Sequence, residues 1–163
     1  MTKSKRKKES EDKNGINLPP ELQNAVGFYI RRSISVADTI FSDVFGPFEI
    51  TTQYYAILLT MRSNPGCQPS HLSALLGMTP NNLVPRIAHL VDQGFVKRTE
   101  SKNDRRIKHL HLTPAGEEYA AKLAKMHDEV HARVVARMGQ ENAREFLRLL
   151  YLYCGEDYKK EGE

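Results

Sequence analysis

The chain has 163 residues, 40% of them hydrophobic and 27% charged, which allows one domain with a real core and is ordinary for a globular protein. The formal net charge is +4. Six basic against three acidic side chains in residues 1–13 supply +3 of it, so everything after Lys13 nets +1 and any later basic cluster stands out. Two cysteines, Cys67 and Cys154, form no disulfide framework or metal-ligand spacing, no apolar run has the length of a membrane span, and no apolar stretch follows the charged start. These features argue against secreted and membrane-spanning classes, and a cytoplasmic protein with no membrane partner is expected.

Residues 1–18 are polar, charged and poor in large apolar side chains, and a disordered basic tail is expected there. Its lysines and arginine have the charge to meet DNA phosphate, although a solvated tail is the simpler reading. Pro19-Pro20 then opens a helix. Val26, Tyr29, Ile30, Ser33, Ala37, Ile40, Phe41, Val44 and Phe45 recur at three- and four-residue steps, until Gly46-Pro47 stops it. That helix is too long and too apolar to lie alone on a small lobe, so a partner surface is implied.

Thr51 or Thr52 caps a second helix reaching about Arg62, and Ser63-Asn64-Pro65-Gly66 is a turn in all four letters. A short third helix, Pro69 to Leu76, should carry Leu72, Leu75 and Leu76 inward, with Gly77 closing it. Helix, glycine-containing turn and second helix make the helix-turn-helix plan.

The next segment, Thr79 to about Gln93, should turn Leu83, Val84, Ile87, Leu90 and Val91 to one face. Asn81, Asn82, Pro85 and His89 fall opposite, with Arg86 on the flank. Amides, an imidazole and a guanidinium are groups that read base edges or grip phosphate. Pro85 complicates the start. In a helix beginning right after Thr79 it lacks a needed N–H and costs about 3 kcal/mol. With Asn81 or Asn82 as the cap it falls near the first turn and the cost shrinks. The late or kinked start is the favoured expectation. It would use one asparagine as a cap and leave Asn82 and Arg86 as the better base readers.

Gly94 ends this helix, and Phe95–Thr99 and Ile107–Leu112 read as strands, with Leu110 and Leu112 on one face and Ile107, His109 and His111 on the other. Between Lys97 and Lys108 six basic residues face two acidic ones, a local +4 that exceeds the net charge of everything after the tail. Thr113-Pro114 starts the longest helix, expected to run to about Met138 with Tyr119, Leu123, Met126, Val130 and Val134 as its stripe. After Gly139 a last helix is expected from Gln140 to about Tyr158, carrying Ala143, Phe146, Leu147, Leu150, Tyr153 and Cys154. Pairing with a second copy would cover the excess apolar surface of the first and last helices.

In this order and spacing the chain resembles the MarR family of bacterial transcriptional regulators, from Pro20 to Tyr158. The residues that carry the resemblance are Leu76-Gly77-Met78, then Gly94-Phe95-Val96, then Asp104-Arg105-Arg106 followed by Leu110-x-Leu112-Thr113-x-x-Gly116. The resemblance implies a mainly α fold with a small β-wing. Residues 51–113 would be a winged helix-turn-helix lobe, and 19–46 with 114–160 the dimerisation helices, all within a single domain 19–163. It implies a homodimer on a pseudo-palindromic double-stranded operator, with one helix in the major groove and the wing over the minor groove. Arg106 would enter that groove and Asp104 would orient or restrain it, which agrees with the attraction of arginine to a narrow minor groove. Pro85 departs from the family pattern, which has an ordinary helix former there.

The DNA-contact candidates are therefore Ser70, His71, Asn81, Asn82, Arg86, His89, Arg105 and Arg106, each set against a merely solvated polar face. The resemblance also implies a small, aromatic, often anionic effector in a cleft between the dimerisation helices and the DNA-binding lobe. Tyr29, Arg31, Arg32, Tyr54 and Tyr55 are the residues offered for it, arginine pairing with a carboxylate and tyrosine stacking. Phenolic acids or their thioesters come first by family analogy. The alternative is a zinc-responsive regulator using His127 and His131 at i, i+4; two ligands do not make a site. Both cysteines read as inert. His109 and His111, beside the basic hairpin, read as solvent- or DNA-facing. No nucleophile motif, phosphate-binding glycine loop or metal set supports an enzyme, no cofactor is expected, and the basic hairpin argues against a pure scaffold.

Overall fold

The computed structural model describes residues 17–100 and 108–158. Among them the order is α1 (Pro20–Gln23), α2 (Val26–Phe45), a 3-10 turn (Gly46–Phe48), α3 (Thr52–Ser63), α4 (Pro69–Leu75), α5 (Pro80–Asp92), β1 (Val96–Glu100), β2 (Lys108–Leu112), α6 (Pro114–Lys125), α7 (His127–Met138) and α8 (Gln140–Cys154). The chain divides into two compact units, residues up to Thr39 and residues from Ile40 onward.

In the first unit the expected single helix from Pro20 is interrupted. Asn24 leaves helical geometry (φ −117°, ψ 13°), and the carbonyl of Ala25 accepts from both Phe28 and Tyr29 to start α2. Asparagine forms helix poorly because its side chain competes for nearby backbone groups, so the chain resets there. Val26, Tyr29 and Ile34 are exposed on α2.

The second unit holds the core. Phe41, Val44 and Phe45 from the end of α2 are buried, and the rings of Phe41 and Phe45 stack at 4.4 Å. Thr51 caps α3 by accepting from the Tyr54 N–H, and Ile57, Leu58 and Met61 turn inward. The turn after α3 does more than reverse the chain. Gly66, at φ +80°, donates its N–H to the Leu110 carbonyl, and Leu110 donates back to Cys67, an antiparallel bridge that ties the turn to β2.

In α4 the inward stripe runs from Leu72 to Leu76, whereas Leu75 is 68% exposed, against expectation. The helix has only seven residues and turns away at once, so i and i+4 reach the core and i+3 does not. In α5 the helix begins at Pro80 with Thr79 as N-cap, not late at an asparagine, and Pro85 lies inside it. Burial accounts for this outcome. Leu83, Ile87 and Leu90 are all buried, each contributing roughly 1.5–3 kcal/mol, against about 3 kcal/mol for the proline. Val84, expected on the inner face, lies a hundred degrees off that stripe and is half-exposed.

β1 and β2 pair antiparallel from Val96↔Leu112 to Glu100↔Lys108, placing Val96, Leu110 and Leu112 on the core. Phe95 lies just before the strand, stacked on Tyr119 at 4.7 Å. The expected long helix after Thr113 is two helices. At Met126 (φ −93°, ψ −2°) the backbone N–H reaches Leu123 in place of the i−4 carbonyl, a tighter turn that separates α6 from α7. The last helix ends at Cys154, short of Tyr158. Gly155 adopts the left-handed conformation (φ +75°), its N–H bonding Leu152 and that of Glu156 bonding Tyr151.

Candidate nucleic-acid interface

A single threonine joins the base of the hairpin to α6. Thr113 donates its N–H to the Phe95 carbonyl (2.9 Å) and its hydroxyl to Gly94 (2.6 Å), and accepts the Gly116 N–H (3.1 Å). A Cβ on Gly116 would stand 2.1 Å from the Phe95 oxygen. The Thr-x-x-Gly spacing is therefore a joint: threonine caps the helix and holds the strand, and glycine lets the strand's backbone come close.

From this joint α5 presents Asn81, Asn82, Pro85 and His89 to the outside, all exposed. Neither asparagine amide serves as the helix cap or has a hydrogen-bond partner among the described residues, so neither is used in the way the late start would require. The His89 ring lies 5.3 Å from that of Tyr54. Arg86 is half-buried and engaged. Its Nε donates to Gln53 Oε1 at 2.8 Å, Nη2 donates to the same oxygen, and Nη1 donates to the Asn82 carbonyl. Ser70 and His71 are exposed in the first turn of α4.

On the hairpin Lys97, Arg98 and Lys108 are exposed; Lys108 pairs with Glu100 at 2.5 Å. The described strands hold three basic residues and one acidic one, a local +2. Asp104, Arg105 and Arg106 lie outside the described residues. A small apolar cleft of about 130 Å³ opens between α5 and the hairpin, lined by Pro69, Val84, Ile87, Arg98, Lys108 and Leu110.

His109 and His111 are half-buried and do not simply face solvent or DNA. His109 Nδ1 lies 2.8 Å from the Gly66 carbonyl, to which it must donate. The His111 ring packs where a Gly66 side chain would sit. His109 therefore anchors the turn to the hairpin, and His111 lies against it.

Tyr29, Arg31 and Arg32 are exposed on α2 in the first unit. In the second, Tyr54 is half-buried beside His89. The Tyr55 hydroxyl lies 3.0 Å from His127 Nδ1, with its ring against Phe41 and Phe45. Burial pushes the Tyr55 phenol above its ordinary range. His131 is exposed, and among the described residues no three His, Cys, Asp or Glu side chains gather closely enough to hold a metal. Burial raises the Cys67 thiol, which disfavours the reactive thiolate, and Cys154 is exposed at the end of α8. No described helix is long and apolar enough to cross a membrane.

Sequence reasoning missed Gln53, which is 33 positions from Arg86 and carries no local signal, and the anchoring role of Gly66. It used the Thr113-x-x-Gly116 spacing as a family signature without the joint that explains it.

A family model described as "MarR family" matches residues 48–107. Transcriptional repressor MprA of Escherichia coli K12 is 39% identical over 72 residues, covering 43% of this chain and 41% of MprA. The HTH-type transcriptional repressor Mb2911 of Mycobacterium bovis is 26% identical over 125 residues, 77% of this chain and 90% of that one. The chain spans 62% and 41% of the first two curated relatives it matches. Among solved structures, the transcriptional repressor CouR bound to a 23-mer DNA duplex superposes with a TM-score of 0.76 at 26% identity, covering 83% of this chain and 96% of CouR. CouR bound to p-coumaroyl-CoA gives 0.75 at 24% identity, covering 85% and 97%.

Proposed function

The chain belongs to the MarR family of winged helix-turn-helix regulators, and from that premise we propose that it is a DNA-binding transcriptional repressor that works as a homodimer and is released by a small ligand. The observation that carries the DNA reading is the outward face of α5, where two exposed asparagine amides have no intramolecular partner among the described residues and lie beside a basic hairpin. A solvated helix face gains nothing from amides in place of charge. In a major groove an asparagine amide matches adenine N6 and N7 with two hydrogen bonds.

In this reading Asn81 and Asn82 contact base edges and His89 the groove or phosphate. Ser70 and His71 hold phosphate from the start of α4. Arg106 enters the minor groove from the wing, with Asp104 orienting or restraining it, and Arg105 makes a neighbouring groove or phosphate contact. Two copies would place two α5 helices in successive major grooves, on half-sites roughly 34–36 Å apart.

The test is a gel shift of the full chain on DNA upstream of its own gene, over a salt series. Asn81→Ala and Asn82→Ala should relax sequence preference at a position in each half-site. Arg105→Ala and Arg106→Ala should weaken binding to all sequences and flatten the salt dependence by about 0.9 in log–log slope for each phosphate no longer neutralised. Binding indifferent to all four changes would sink the interface.

For the effector we infer a small aromatic anion, with phenolic acids and their thioesters first. CouR, a neighbour of the same fold, is bound to p-coumaroyl-CoA in one structure. The residues offered from the second unit are Tyr54 and Tyr55 on α3. Release of a preformed protein–DNA complex by a phenolic thioester, abolished in Tyr54→Ala, supports this reading. Release by none of these compounds sinks it.

A further inference from the structure

We propose that Arg86 is a positioning residue for the DNA-reading face of α5, set by Gln53, and not itself the base or phosphate contact that its place on the helix suggests. This rests on the DNA-binding reading and assigns roles within that interface.

Three observations converge. First, the side edge of the guanidinium fork is filled: Nε and Nη2 both donate to Gln53 Oε1, with Nε at 2.8 Å. Arginine carries only donors, so Gln53 must turn its oxygen toward it, which fixes the amide. Second, the remaining nitrogen folds back on its own helix, Nη1 donating to the Asn82 carbonyl. A side chain committed to the carbonyl one turn behind it does not extend toward a groove. Third, this hydrogen bond falls beside the weak point of α5. Pro85 has no N–H, so the Asn81 carbonyl has no donor four residues on, and the ring crowds that turn. Arg86 brings a side-chain donor to the next carbonyl and ties the same turn to the first turn of α3.

Asn81 and Asn82 sit on the N-terminal side of the proline and His89 on the C-terminal side. The bridge spans the discontinuity between them, and the ring contact of Tyr54 with His89 lies one residue further along α3 and three along α5. The pair Gln53–Tyr54 therefore grips α5 at Arg86 and His89, and the angle at which the asparagines meet a base is set from α3. Both described partners of Arg86 are neutral, so its charge still adds to the field of the surface while its geometry serves the helix.

The test compares Gln53→Leu, Arg86→Lys, the double of these two, and Arg86→Ala in operator binding over a salt series, with thermal unfolding of each. Lysine keeps the charge, so a phosphate contact would survive Arg86→Lys, whereas the two-pronged bridge to Gln53 and Asn82 would not. The positioning role predicts that each single variant loses about tenfold in operator affinity, that the double loses no more, and that the salt slope stays at the wild-type value. Selection from a randomised site should also lose preference at the asparagine positions in both Gln53→Leu and Arg86→Lys. Wild-type affinity and preference in Arg86→Lys or in Gln53→Leu overturns the proposal, as does a slope lowered by about 0.9 in Arg86→Ala alone. Should Arg86→Lys melt early, Gln53→Leu, a change at an exposed position, decides alone. Failure of the wild-type chain to bind any upstream DNA would instead count against the DNA-binding reading itself.

Discussion

Gly116 is buried, with the Phe95 carbonyl occupying the space its side chain would need. The obstacle is backbone, held in place by the Thr113 N–H, so it cannot swing aside like a flexible side chain. Gly116→Ala should therefore destabilise by about 2 kcal/mol although alanine favours helix, because overpacking outweighs propensity. A lower urea midpoint with an unchanged slope would report it; an unchanged midpoint would show that the strand can yield. Titratable side chains give a second prediction at this scale. Burial raises the phenols of Tyr55 and Tyr119, so the unfolded chain ionises first. Their contribution is fully present below the ordinary value of about 10 and declines as pH rises above it, toward the higher folded values. Cys67, raised for the same reason, acts in the same direction from about 8.5 upward. Denaturation midpoints should fall between about pH 9 and 11, less steeply in a Tyr55→Phe/Tyr119→Phe variant. Equal slopes in the two proteins would refute the assignment to these rings.

Among the elements, α5 carries the clearest cost. Thr79 is its cap and Pro80 its first residue, which puts Pro85 beyond the first turn, where proline is no longer tolerated for free. Pro85→Ala should stabilise the chain by up to about 3 kcal/mol, seen as a higher urea midpoint. No gain would mean that water already satisfies the Asn81 carbonyl on this exposed side of the helix. The same helix shows what could be read from the sequence. Its buried stripe Leu83–Ile87–Leu90 and the inward pair Leu110 and Leu112 follow from periodicity alone, as do the cap at Thr51 and the turn at Ser63–Gly66. Each of these depends on neighbours within a turn or two. The break at Met126 does not, because the 3-10 bond that makes it appears only once α6 and α7 pack separately and His127 meets Tyr55 from another helix. Nor does the start of α5, where burial of three side chains against distant parts of the chain overrode the local penalty. The candidate site was legible as a face: Asn81, Asn82 and His89 are exposed where the helical wheel puts them. It was not legible as a set of partners, since Gln53 reaches Arg86 across 33 positions.

At the scale of the whole molecule, α8 shows what the proposed dimer must explain. Phe146, Leu147, Leu149, Leu152 and Tyr153 are between 42% and 65% exposed, while Ala143 is the helix's one buried residue. A stable fold rarely leaves so many large apolar side chains of one helix in water, and a second copy would cover those on one side without requiring a different partner. Leu149 and Tyr153 are one turn apart on the same side. Changing both to aspartate would place two charges where the other copy is expected, at little cost to the isolated helix. The double variant should be monomeric by light scattering, keep its helical circular dichroism, and lose about 10²–10⁴-fold in operator affinity, because each half-site would then be bound without the effective concentration that tethering supplies. A single half-site should discriminate the causes. On it the variant and the wild type should bind alike if the loss comes from dissociation of the dimer, and differently if the substitutions have disturbed α5 or the wing. A variant that remains dimeric would move the interface off this face of α8.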